Sequence, residues 1–206
     1  MEVKQLSLGP LGTNCYILHD KKQAMIVDPG GDAERLKSYI REEGLKPIAI
    51  LLTHAHFDHI GAVEDISKEH NLEVYLHREE HQWLKDPMLN GSKLFGVTAP
   101  ITTSEADHEL NEGSLTIANW TFEVFHTPGH SPGSVSFVFE NDGFVIAGDT
   151  LFQGGIGRTD LPNGNHNQLI NSITQKLFTL DDETIVYPGH GPETTVGFEK
   201  QNNPFF

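Results

Sequence analysis

Cysteine is almost absent: Cys15 stands alone in 206 residues. An internal disulfide is therefore impossible, and a zinc site built on several thiolates is excluded. Positive charge is scarce as well, with 14 Lys and Arg against 29 Asp and Glu and a formal net charge of −15. That balance speaks against a nucleic-acid partner or an anionic membrane surface. No apolar run approaches the ~20 residues needed to cross a bilayer. Met1 to Leu6 shows no basic region leading into an apolar stretch, and no Pro/Ser-rich linker divides the chain. The expectation from these absences is a cytoplasmic protein folding as one α/β domain over residues 1–206, monomeric or homodimeric, with a small molecule as its partner.

Histidine, by contrast, is plentiful, with 12 copies. The densest cluster is Thr53-His54-Ala55-His56-Phe57-Asp58-His59. It follows Pro47 to Leu52, an apolar run rich in β-branched residues that reads as a buried strand, and precedes Ile60, Val63 and Ile66, whose spacing is that of an amphipathic helix. The cluster thus lies on a strand-to-helix turn. In extended backbone, side chains 54, 56 and 58 share one side, and the turn into the helix re-aims His59. A polar loop with scattered histidines is the plainer reading. Packing does not account for three histidines and an aspartate crowded together, because burial costs imidazole its solvation. A metal site does.

Elsewhere the pattern is a meander of strands at Val3–Leu8, Cys15–His19 and Ala24–Asp28, then a helix over Asp32–Glu43 with Asp32 as N-cap. Asp28 reads equally as a turn former and as a residue orienting the histidine loop. Cys15 has no base nearby in sequence and reads as a small buried hydrophobe. Leu72–His77 is a strand and Arg78–Trp83 helical; His70, His77 and His81 lack ligand-like partners and read as locally bonded or solvated. Asn90–Pro100 reads as a rim over a pocket. A second meander follows, with strands Leu115–Ala118, Thr121–His126, Ser134–Phe139 and Phe144–Ala147. After it come a long loop over Phe152–Asn165, a helix over Asn167–Leu180, a strand Thr184–Tyr187 and a last helix over Glu193–Asn202. Meander, helices, meander, helices suggests two similar halves. The closing Phe205 and Phe206 read as a packing plug or a subunit contact.

Three further strand ends carry metal-binding groups: His130 between two Pro-Gly turns, Asp149 after Phe144–Ala147, and His190 in Tyr187-Pro188-Gly189-His190-Gly191. Stiff Pro-Gly loops suit a ligand that must keep one rotamer. With these motifs, and with Gly12-Thr13-Asn14-Cys15-Tyr16 and Val27-Asp28-Pro29-Gly30 before them, the chain resembles the metallo-β-lactamase-fold hydrolases, and within them the short glyoxalase II-like thioesterases. The resemblance implies an αββα sandwich without the C-terminal helical domain of the longer enzymes. It implies His54, His56 and His130 on one metal, Asp58, His59 and His190 on a second, and Asp149 bridging. Two divalent ions, zinc in the first instance and iron or manganese as alternatives, would then ionise a shared water, with Asp58 orienting it. The implied substrate is a thioester of a small thiol, for which Arg158 is a candidate anion contact, a surface salt bridge being its alternative. An iron-dependent persulfide dioxygenase, a lactone or phosphodiester hydrolase and a non-catalytic metal module are the other readings.

Overall fold

The computed structural model describes residues Met1–Phe206, which divide into two compact units, Met1–Glu109 and Leu110–Phe206. The first unit opens with β1 (Glu2–Leu8), β2 (Thr13–His19) and β3 (Gln23–Val27), an antiparallel meander. After α1 (Ala33–Glu42), β4 (Lys46–Leu51) pairs parallel to β3. The short α2 (Phe57–Ile60) and α3 (Val63–His70) then lead to β5 (Glu73–His77), which pairs parallel to β4. A 3-10 helix (Arg78–Leu84) and a long irregular segment precede β6 (His108–Leu110), so the sheet runs in order from β1 to β6. Leu36 and Ile40 of α1 and Val63 and Ile66 of α3 share one apolar cluster with Ile17, Ile26 and Ile50 of the strands. Each helix thus lays its apolar stripe on the sheet, and β3 and β4, flanked on both sides in the sheet, read as continuous apolar runs.

The second unit is a second mixed sheet. Its strands are β7 (Gly113–Ile117), β8 (Trp120–His126), β9 (Val135–Phe139) and β10 (Phe144–Gly148), then the small hairpin β11 (Leu151–Phe152) and β12 (Gly155–Ile156). Helix α4 (His166–Gln175), β13 (Ile185–Pro188), β14 (Thr194–Thr195) and α5 (Val196–Asn202) complete it. The order is β14-β13-β10-β9-β8-β7, with β10 and β13 parallel. Leu169 and Ile173 of α4 pack with Val138, Val145 and Val186.

Several expectations shift. Asp32 stands at the N-cap position but with φ 46° and no capping bond; N-caps need extended backbone, and its carboxylate instead accepts the Gly9 amide at 2.8 Å. The helix expected to reach Leu180 stops at Gln175, and a 3-10 turn over Leu177–Thr179 replaces its end. Thr194–Thr195 is strand, which leaves α5 seven residues long. The segment Phe152–Asn165 is not loop throughout, since β11 and β12 fold its start into a hairpin. Strand β6 had no signal in the pattern.

Candidate metal centre

In the first unit the parallel β3/β4 register places Val27 beside Leu51, so the chain leaves both strands side by side at Asp28 and Thr53. The Asp28 carboxylate accepts the Thr53 amide (2.8 Å), the Thr53 hydroxyl (2.6 Å) and a hydrogen bond from His59 Nδ1 (2.9 Å). It is thus the orienting residue, and with φ 50° it also makes the turn, so both readings of Asp28 hold. The Thr53 hydroxyl lies 3.1 Å from His54 Nδ1. His54, His56 and His59 are buried, with the His54 ring 4.8 Å from that of His56 and 4.0 Å from that of His59. His59 Nε2 faces Asp58 Oδ2 at 3.7 Å. Thr13, fully buried in β2, donates its hydroxyl to the same Oδ2 at 2.8 Å. Gly30 makes this closeness possible, because a Cβ there would overlap the Asp58 carbonyl oxygen.

The second unit presents its groups from three strand ends. His130 Nε2 and His190 Nε2 lie 3.5 and 3.7 Å from one oxygen, Oδ2 of Asp149. Parallel pairing of Gly148 with Pro188 brings the ends carrying Asp149 and His190 together. The Pro128-Gly129 turn before His130 is held by α4: the Ser172 hydroxyl donates to the Pro128 carbonyl (2.7 Å) and the Asn165 amide to the Gly129 carbonyl (2.7 Å). At Gly129, φ is 136°, and any Cβ would strike the backbone of Leu169. Gly157 packs against Asp149 so closely that a Cβ would overlap the Asp149 carbonyl oxygen. The next residue then offers its backbone carbonyl to His130 Nδ1 at 2.8 Å. That residue is Arg158, whose side chain points elsewhere: its guanidinium grips Asp160 at 2.7 and 2.8 Å, with the pair exposed and the Asp160 carboxyl lowered to about 2 by it.

The donors fit divalent metal ions. Two ligands bound to one zinc at about 2.0–2.1 Å with tetrahedral angles stand about 3.4 Å apart. The separations of 3.5 to 3.7 Å in the two units are close to that edge and too long for hydrogen bonds. In His54, His59 and His130 the Nδ1 atom meets an oxygen, the arrangement that fixes Nε2 as the coordinating nitrogen. The set is oxygen and nitrogen only, compatible with zinc, iron or manganese.

Sequence reasoning missed Thr13, Thr53 and Glu80, whose buried carboxylate accepts the Ala55 amide. Pattern carries no signal for such groups. Cys15 is buried, its thiol pushed up by desolvation and by the negative charge of Asp28, as expected of a packing residue. His77 and His81 are locally bonded, to the Glu79 amide and the Leu76 carbonyl. Asn90, at the start of the segment read as a rim, is buried and donates to the Trp83 and Ile101 carbonyls. Phe206 packs on Phe178 (ring centroids 4.8 Å) while both terminal phenylalanines stay largely exposed. No helix is long and apolar enough to cross a membrane.

The family model described as the metallo-beta-lactamase superfamily matches residues 8–190. A Bacillus subtilis protein called probable metallo-hydrolase YqgX is 48% identical over 100% of this chain and 97% of its own length. Hydroxyacylglutathione hydrolase GloC of Haemophilus influenzae is 39% identical, covering 100% and 98%. Among solved structures, the BLEG-1 B3 metallo-beta-lactamase superposes with a TM-score of 0.96 at 55% identity over 99% of both chains.

Proposed function

The chain belongs to the metallo-beta-lactamase superfamily of metal-dependent hydrolases, and from that premise we propose that it hydrolyses a thioester of a small thiol such as a hydroxyacylglutathione. We assign His54, His56 and His130 to one divalent ion, Asp58, His59 and His190 to another, and Asp149 to both. The observation that carries this is the Nε2 presentation: His59 Nε2 in the first unit, and His130 and His190 Nε2 in the second, each face a carboxylate oxygen at ligand spacing. When bound, such ions supply Lewis acidity toward a carbonyl and lower the pKa of a bound water toward neutrality.

The chain's own part is to orient and to exclude. Asp58, its Oδ2 held by the Thr13 hydroxyl, orients the attacking water and accepts its proton. A thiolate departs more readily than an alkoxide and is a soft ligand, so a binuclear nitrogen/oxygen site suits a thioester. The 39% identity to GloC over the full length supports that substrate class. Arg158 would meet the anionic end of the conjugate only by exchanging Asp160 for it.

A second reading, β-lactam hydrolysis, is favoured by the 55% identity to BLEG-1. Purified protein assayed for zinc, iron and manganese content and for turnover of a hydroxyacylglutathione, an acyl-coenzyme A and a cephalosporin separates the two. Two metal equivalents and preference for the glutathione thioester are expected. Faster turnover of the cephalosporin would overturn the thioester reading, and oxygen uptake with a persulfide by a one-iron protein would overturn hydrolysis.

A further inference from the structure

His56 is gripped through the backbone on both sides. On one side the Ala55 amide, which lies between His54 and His56, donates to Oε2 of Glu80 at 2.5 Å. On the other, the Phe57 amide donates to the carbonyl of Asn90 at 3.0 Å. Both acceptors come from one stretch of chain, the 3-10 helix Arg78–Leu84 and the segment after it, which Asn90 ties back through its side-chain bond to the Trp83 carbonyl. The same helix sets Trp83 against the His56 imidazole, with ring centroids 5.4 Å apart. Glu80 is wholly buried, a costly place for a carboxylate unless it is hydrogen-bonded. Its reach is what the site uses: one methylene less would leave the Ala55 amide without this acceptor.

We propose that Glu80 is a positioning residue for the His54/His56 ligand pair, holding the turn between the two imidazoles in the coordinating geometry. This rests on the reading of His54 and His56 as metal ligands. It acts through the Ala55 amide rather than by touching metal or substrate. Loss of such an outer partner costs about 10–100-fold in metal affinity.

Two substitutions that separate reach from charge test it. Glu80→Gln keeps the acceptor and removes the charge, whereas Glu80→Asp keeps the charge and withdraws the acceptor. Full-length protein stripped of metal is titrated with zinc against a chromophoric chelator. The Ala55 amide proton and the His56 ring nitrogens are followed by NMR in the metal-free state. Glu80→Asp is expected to weaken zinc about 10–100-fold, to move the Ala55 amide proton upfield and to broaden the His56 signals. Glu80→Gln is expected to lose much less. If Glu80→Asp only lowers the melting temperature while zinc affinity and the His56 signals stay at wild type, Glu80 is a structural brace and the proposal is overturned. Equal losses in both variants overturn it in favour of a charge effect. Should the wild-type protein bind no metal, the ligand assignment fails, and the metal-free Ala55 and His56 signals still decide what Glu80 does.

Discussion

The two units supply metal-binding groups in opposite ways. The first concentrates four of them on one turn, His54 to His59, and holds them with side chains: Asp28, Thr53, Thr13 and Glu80 all reach into that turn. The second spreads three over separate strand ends and holds them with backbone: the Arg158 carbonyl on His130, α4 on the Pro128-Gly129 turn, and the parallel strand pair beneath Asp149 and His190. A clustered motif can be tuned by substituting its neighbours. Close backbone approach at glycine serves both, Gly30 beside Asp58 in the first and Gly129 and Gly157 in the second.

The largest effect should come from the group assigned to both ions. Asp149→Ala is expected to lose more than one of two metal equivalents, with activity falling beyond the ~100-fold that marks removal of an outer partner. His59→Ala should empty mainly one site. Metal analysis of both variants checks this, and full metal content in either would break the assignment.

Next come the backbone supports of the second unit. Gly157→Ala would drive a methyl into the Asp149 carbonyl, shift the Arg158 carbonyl away from His130 and cost about 1–3 kcal/mol of stability. Arg158→Ala keeps that carbonyl and should leave metal content and stability near wild type, raising only KM for an anionic thioester. Thermal melts beside metal analysis separate the two variants. Equal metal loss in both would show that the guanidinium, not the backbone, supports His130.

The smallest effect expected is one of pH. Hydrogen bonds with Lys68, with Ser104 and with Thr103 lower Glu64 to about 2, and they tie α3 to the Thr103–Ser104 segment of the same unit. A carboxylate with a lowered folded pKa stabilises above its unfolded value, about 4.5, and the contribution fades as pH falls toward 2. Asp160 is lowered to about 2 as well, but its partner Arg158 is two residues away and the pair is exposed, so it ties nothing distant. Denaturant melts of metal-free protein should therefore lose part of their slope between pH 4.5 and 2 in Glu64→Gln and none in Asp160→Asn.

Much of the fold was legible in the chain. Strands such as Pro47–Leu52 and helices such as the one after Ile60 declare themselves by periodicity, because burial on one face is a local demand on every second or every third to fourth residue. Helix ends were less legible: whether Asp32 caps a helix or reaches back to Gly9 depends on a backbone angle that no neighbouring residue dictates. The candidate ligands could be nominated from sequence because imidazole and carboxylate following apolar strands have few other reasons to be there. Of their supports only Asp28 could be named, as one of two readings. That His59 leans on Asp28, that Ala55 meets Glu80 and that His130 is braced by a carbonyl rather than by the Arg158 side chain are matters of parallel strand register and glycine contact. Composition and pattern by themselves determined which atoms this protein can offer to a metal. Only the tertiary structure decided which nitrogen of His59 and of His130 faces outward, because the oxygen that takes the other nitrogen, from Asp28 or from the Arg158 carbonyl, arrives from a distant part of the chain.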